Sequence, residues 1–205
     1  MRIPGTIWRL MTVLAAVATC AGAPPAHSAP AGTTGARAYL DCAACHGADG
    51  GGVDDGSIPA IGGQPAAVIA AALQDFRAGR RRDLRMEHFS DPQHLATDAE
   101  VAAVAAHVAG LRRRTPAGTG DGAMIDKGGA LFARRCATCH GAGATASEMP
   151  PRAALAGQHA AYVERKMRKG GMTTSQARRH AVLSQELGPD GVAAIADWLS
   201  RLPPP

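Results

Sequence analysis

Residues 42–46 read Cys-Ala-Ala-Cys-His, and residues 136–140 read Cys-Ala-Thr-Cys-His. Each is Cys-x-x-Cys-His, the spacing for covalent attachment of a c-type haem. Two thiols one helical turn apart add to the two vinyl groups of the porphyrin. The adjacent histidine is then carried under the iron as proximal ligand. The pattern assigns Cys42, Cys45, Cys136 and Cys139 to thioether bonds, and His46 and His140 to two irons. A structural zinc site built from these thiols would bring the pairs to within about 20 residues of each other. Here the motifs start 94 residues apart, and a histidine follows each. Redox disulfides or disulfide staples would leave both histidines unexplained.

The composition asks for such a cofactor. The chain has 205 residues, enough for one or two domains. Apolar residues make up 46%, but aromatics only 3%, with 2 Trp, 2 Tyr and 3 Phe. Alanine and glycine supply much of the apolar count, so a core made of side chains alone is short of large groups. Two buried porphyrins supply the apolar area that is missing. With 19% charged residues the chain is not of the disordered class. No long basic run or aromatic ladder points to nucleic acid.

Residues 1–29 read as a secretory signal. Arg2 and Arg9 are the positive flank, Leu10 to Ala18 the apolar stretch, and Ala21-Gly22-Ala23 through Ala29 offer small residues for cleavage. The apolar run is shorter than the about 20 residues that span a bilayer. Thr19 before Cys20 fits a lipidated cysteine poorly. The mature chain is therefore expected in the periplasm with no membrane span, where haem attachment takes place in bacteria.

Around the two motifs the sequence repeats. Gln64 and Gln158 share the offset of 94; His88 with His180, Leu95 with Leu187 and Asp98 with Asp190 share 92; the last helices match at 91. Each copy predicts a short helix into the haem motif (Tyr39 and Leu40; Leu131 and Phe132), then a glycine-rich loop. A middle helix follows, about 64–78 and 158–169, then an irregular loop. The final helix carries an apolar stripe, Val101, Val104, Val108 and Leu111, matched by Val192, Ile195, Leu199 and Leu202. Asp98 and Asp190 stand where helix N-caps are expected. The fold class is all-α. The domains are expected at 30–114 and 123–205, with a Gly/Pro/Thr-rich linker at 115–122.

The two motifs, the Gly-Gln before each middle helix and Phe-Arg-Ala-Gly at 76–79 resemble the dihaem cytochrome c4 family, two class I cytochrome c domains in tandem. The likeness covers nearly all of the mature chain. It implies two covalently attached haem c groups, pseudo-twofold packing of the domains and nearby haem edges. It also implies a periplasmic electron carrier between a respiratory donor and a terminal oxidase or other acceptor. Its redox partners would be a dehydrogenase, a cytochrome complex or a terminal oxidase. In related cytochromes a proline carbonyl accepts a hydrogen bond from the proximal histidine. Pro59 and Pro151 are the candidates here, Pro151 two residues out of register.

The resemblance also implies a sixth ligand, usually Met, from the loop between middle and final helices. That ligand stands about nine residues before the aspartate of the final helix. The first loop offers Met86 and His88, with His94 further on; the second offers Met172 and His180. His88 and His180 match each other without a gap, whereas Met86 and Met172 stand 12 and 18 residues before their aspartates. Met86 and His88 remain open for the first iron, and His180 is preferred to Met172 for the second. At least one domain is expected to depart from Met ligation. His159 is expected to be structural, and His107 solvated.

The formal charge of +5 falls to about +3 without the signal, and to about −1 with four ionised propionates. Residues 30–114 carry 9 basic and 10 acidic groups; residues 115–205 carry 11 and 7. This asymmetry suggests that the two domains face different partners. The basic runs 80–82, 112–114 and 165–169 read more readily as solvated faces. A carrier is the leading reading. The alternative is a haem-bearing electron-transfer subunit of a redox enzyme, or such an enzyme itself: a peroxidase or a sulfur-compound or alcohol dehydrogenase. An enzyme needs one iron open and an acid–base group beside it.

Overall fold

The computed structural model describes residues 31–114, 119–145, 147–148, 151–169 and 174–205. Residues 1–29, which carry the signal reading and Cys20, lie outside the described residues, as does Met172.

The first half contains α1 (Ala31–His46), α2 (Ala66–Arg77), α3 (Leu84–Ser90) and α4 (Asp98–Gly110). The second contains α5 (Ile125–Arg135), α6 (Ala137–His140), α7 (Ala160–Lys169) and α8 (Thr174–Arg201). Its one extended feature among the described residues is a two-residue ribbon. There β1 (Ser147–Glu148) runs antiparallel to β2 (Pro151–Arg152), with Ser147 opposite Arg152. Apart from that ribbon the described elements are all helices, as the patterning predicts.

In each half the helix leading to the haem motif crosses the final helix backbone to backbone. A β-carbon on Gly35 would lie 2.2 Å from the Ala103 carbonyl oxygen, and one on Gly128 would lie 2.0 Å from that of Ala194. Only glycine permits this approach. The expected stripe faces inward: Val101, Val104 and Val108 are buried with Tyr39, Leu73 and Leu95. In the second core, Ile195 and Leu199 are buried with Phe132, Val163 and four alanines. Leu111 and Leu202 close the stripes half-buried.

Three local expectations are corrected. Thr97, not Asp98, caps α4: its hydroxyl accepts from the Glu100 N–H, and Glu100 reaches back to the Thr97 N–H, a reciprocal pair that Asp98 in the first turn cannot make. The segment expected as an irregular loop is partly helical. In the first half it forms α3, capped by Asp83. In the second it forms the start of α8, which breaks at Gly188 (φ 65°, ψ 175°) ahead of Pro189. His107 is not solvated. Its ring packs 5.1 Å from Tyr39, in the place where Trp198 packs 4.9 Å from Phe132.

The halves join through paired side-chain amides. Gln64 Nε2 donates to the Ala154 carbonyl at 2.8 Å, and Gln64 Oε1 accepts from the Ala154 N–H at 2.9 Å. Gln158 makes the same pair with Ala60, at 2.8 and 3.0 Å. Ala60 and Ala154 are repeat equivalents, so the contact has local twofold symmetry. Arg113 breaks it. From a run that reads as solvated, this guanidinium is buried and donates to the carbonyls of Gly62, Gly157 and Ala156 at 2.9, 2.6 and 2.8 Å. Buried His159 is structural, its Nε2 paired with the Gly51 carbonyl at 2.8 Å.

Candidate haem sites

In the first half α1 delivers the motif on its last turn, and Gly47, at φ 78°, turns the chain away immediately after His46. Cys42 is half-buried against the core, and Cys45 is exposed. Burial, and then the neighbouring Asp41 carboxylate, push the Cys42 thiol up to about 11. His46 is buried, and its Nδ1 lies 3.0 Å from the Pro59 carbonyl. A carbonyl only accepts, so Nδ1 carries the proton and Nε2 keeps its lone pair for a metal. Burial holds this imidazole below its ordinary range, despite the Pro59 bond. It is therefore neutral, the form that ligates. The proline carbonyl expected beside the proximal histidine is in place here.

Met86 and His88 stand on α3, two residues apart and so on different faces. Met86 is half-buried and packs against the same core as Cys42. His88 is exposed and packs 4.4 Å from the His94 ring and 5.1 Å from Phe89. Arg77 fixes the segment beyond by donating to the carbonyls of Ser90 and Leu95 at 2.8 and 2.5 Å.

In the second half Cys136 lies half-buried against the core, and His140 closes α6. Burial lowers His140 to about 4, and the nearby His180 and Arg152 side chains push it the same way. Its Nδ1 is buried without a hydrogen-bond partner among the described residues. The repeat equivalent of Pro59 is Ala153, which leaves Pro151 two residues out of register. The opening segment of α8 lies over this motif: Arg179 reaches the Cys139 sulfur at 3.6 Å. The next residue, His180, has its ring centre 6.3 Å from that of His140, with the planes 56° apart. Two imidazoles gripping one metal from opposite sides would have ring centres about 6.4 Å apart, taking about 2 Å per metal–nitrogen bond and about 1.2 Å from nitrogen to ring centre.

These residues fit haem. All four motif thiols are free, one of each pair at a core edge. Half of the buried residues of the second core are alanines, which leave room that large side chains would fill. Sequence reasoning missed Gln64, Gln158 and Arg113 as the elements that set one site against the other. The shared Gly-Gln was visible, but nothing local says that an amide will cross to the other domain.

Known proteins agree with this geometry. The cytochrome c family profile matches residues 33–112, and the profile described as cytochrome c oxidase, cbb3-type, subunit III matches 123–199. A thiosulfate dehydrogenase electron acceptor from Thiomonas intermedia (strain K12) is 31% identical over 176 residues, 79% of this chain and 78% of its own. Cytochrome c4 of Pseudomonas aeruginosa is 27% identical over 192 residues, 86% of this chain and 91% of its own. The crystal structure of reduced cytochrome c4 from Pseudomonas stutzeri superposes with a TM-score of 0.71 at 24% identity. It covers 83% of this chain and 98% of its own length, and supports the fold. Two cytochrome c domains carry two covalently bound haem c groups, and electron transfer is the work of such chains. Matched in this way along both of its halves, the chain belongs to the dihaem cytochrome c4 family.

Proposed function

We propose that this electron-transfer protein works in the periplasm, taking electrons from a dehydrogenase and passing them to a respiratory acceptor. His46 and Met86 hold the first iron, and His140 and His180 the second. The observation that carries the reading is the 6.3 Å separation of the His140 and His180 rings, room for one metal between two nitrogens. Met86 supports it in the other half, packed against the core that Cys42 borders. With Met86 and His180 as sixth ligands neither iron would keep an open position for a substrate, which favours a carrier over a peroxidase.

Haem, when bound, supplies a one-electron ferric/ferrous couple. The chain supplies the rest. Its thioether cysteines fix each group in register. The buried faces of α4 and α8 keep water from it, so the surroundings reorganise little on electron transfer. Different sixth ligands set different potentials, because Met raises the potential relative to His. Electrons then run from the bis-histidine site towards the Met site.

A sulfur-oxyanion dehydrogenase is the favoured donor, since the Thiomonas relative bears the name of a thiosulfate dehydrogenase electron acceptor. Export is supported by the reading of residues 1–29. Among the described residues no helix is long and apolar enough to cross a membrane. A redox titration followed by electron paramagnetic resonance tests the ligands. Two low-spin ferric signals are expected, one His/Met and one His/His, the second lost in His180→Ala. A high-spin signal in the unaltered protein would overturn the carrier reading.

A further inference from the structure

Gln158 stands at the entrance to α7, yet its side chain closes around a residue of the other half. Nε2 donates to the Ala60 carbonyl at 2.8 Å, and Oε1 accepts from the Ala60 N–H at 3.0 Å and the His159 N–H at 3.1 Å. Only this orientation of the amide satisfies all three groups. The Ala60 N–H belongs to the same peptide unit as the Pro59 carbonyl, which accepts from His46 Nδ1 at 3.0 Å. One amide plane therefore links His46 on one side to Gln158 on the other.

Both ends are buried, His46 and Gln158 each at 6% exposure, so water does not compete. Gly52 backs the peptide so closely that a β-carbon there would lie 2.7 Å from the Pro59 oxygen. Hydrogen bonds in such a chain polarise one another: an amide whose N–H is engaged accepts more strongly at its carbonyl. The mirror-image device is incomplete. Gln64 clasps Ala154 in the same way, but His140 Nδ1 has no partner among the described residues.

We infer that Gln158, a residue of the second half, sets the donor strength of His46 through the 59–60 peptide, while Gln64 exerts no matching control over His140. The inference rests on His46 being the proximal ligand of the first iron, as proposed above. A stronger bond from Nδ1–H makes the imidazole a better electron donor, as outer partners of ligating histidines do. That favours the ferric state and lowers the potential. Linkage makes the effect reciprocal: a change of charge at the first iron alters the grip of Gln158 on Ala60 across the interface.

Gln158→Met and Gln64→Met in the haem-loaded protein provide the test, because each removes one of two symmetric clasps. Gln158→Met is expected to raise the potential of the His/Met haem and to move the His46 Nδ1–H proton resonance of the reduced protein upfield. Gln64→Met is expected to leave the His/His potential where it was. Gln158→Glu, which as a neutral acid both donates to and accepts from Ala60, should hold the first potential at or below the original. Equal shifts in the two Met variants, an unmoved Nδ1–H resonance in Gln158→Met, or a potential in Gln158→Glu as high as in Gln158→Met would each overturn the inference. Ring-current shifts of the His46 carbon-bound protons report ligation separately. Their absence would remove the ligand assignment rather than the relay.

Discussion

Met86 and His88 differ by two positions on one short helix, and their surroundings separate them. Met86 packs against the first core, while exposed His88 meets the His94 ring edge-on. Met86→Leu is expected to abolish the Met-to-iron charge-transfer band of the oxidised protein, and His88→Leu to leave it intact. In the unaltered protein that band should have the intensity of one haem rather than two if His180 takes the matching role proposed for it in the second half. An absorption spectrum with each variant decides this. The opposite pattern would give the first iron to His88.

At the scale of elements, the crossing of α1 over α4 and of α5 over α8 holds each domain around its cofactor. Gly35 and Gly128 are the contact points, and neither can carry a side chain without moving a helix. Gly35→Val should destabilise the first domain by about 3 kcal/mol, at the upper end of overpacking costs. Gly128→Val should do the same in the second, where the β-carbon would sit nearer still. Denaturant unfolding of the haem-loaded protein, read at each haem's own absorbance, would show the loss confined to the altered half.

Across the whole molecule, Arg113 is a buried cation on which the two halves meet. Burial lowers its guanidinium to about 10, so it stays charged at neutral pH, held by three carbonyls rather than by a carboxylate. Arg113→Ala leaves those carbonyls without their donor, a loss of about 3 kcal/mol at about 1 kcal/mol per hydrogen bond. Arg113→Lys should recover little, because an ammonium cannot reproduce the planar fork. Unfolding that is one transition in the unaltered protein should split into two in Arg113→Ala; a single unchanged transition would show that the amide clasps suffice. The neighbours Arg112 and Arg114 are exposed, and replacing either should leave this behaviour unaltered.

The sequence by itself determined the haem count, the attachment residues, the helical fold and the repeat. All of these are local: a thiol spacing of one turn, a 3.6-residue stripe, a self-match at 94 residues. His46 was readable as a candidate ligand because it adjoins Cys45. Met86 against His88 was not, because that choice depends on which face of α3 meets the core. Thr97 could have been read from its Thr-x-x-Glu spacing, a capping signal that the aspartate of the repeat obscured. Only the tertiary structure decided that His180 faces His140, that Arg113 is buried while its neighbours are not, and that Gln158 reaches the peptide behind His46. Each of these joins residues more than 35 positions apart, and the amide of a glutamine carries no mark of its partner until two domains close on it.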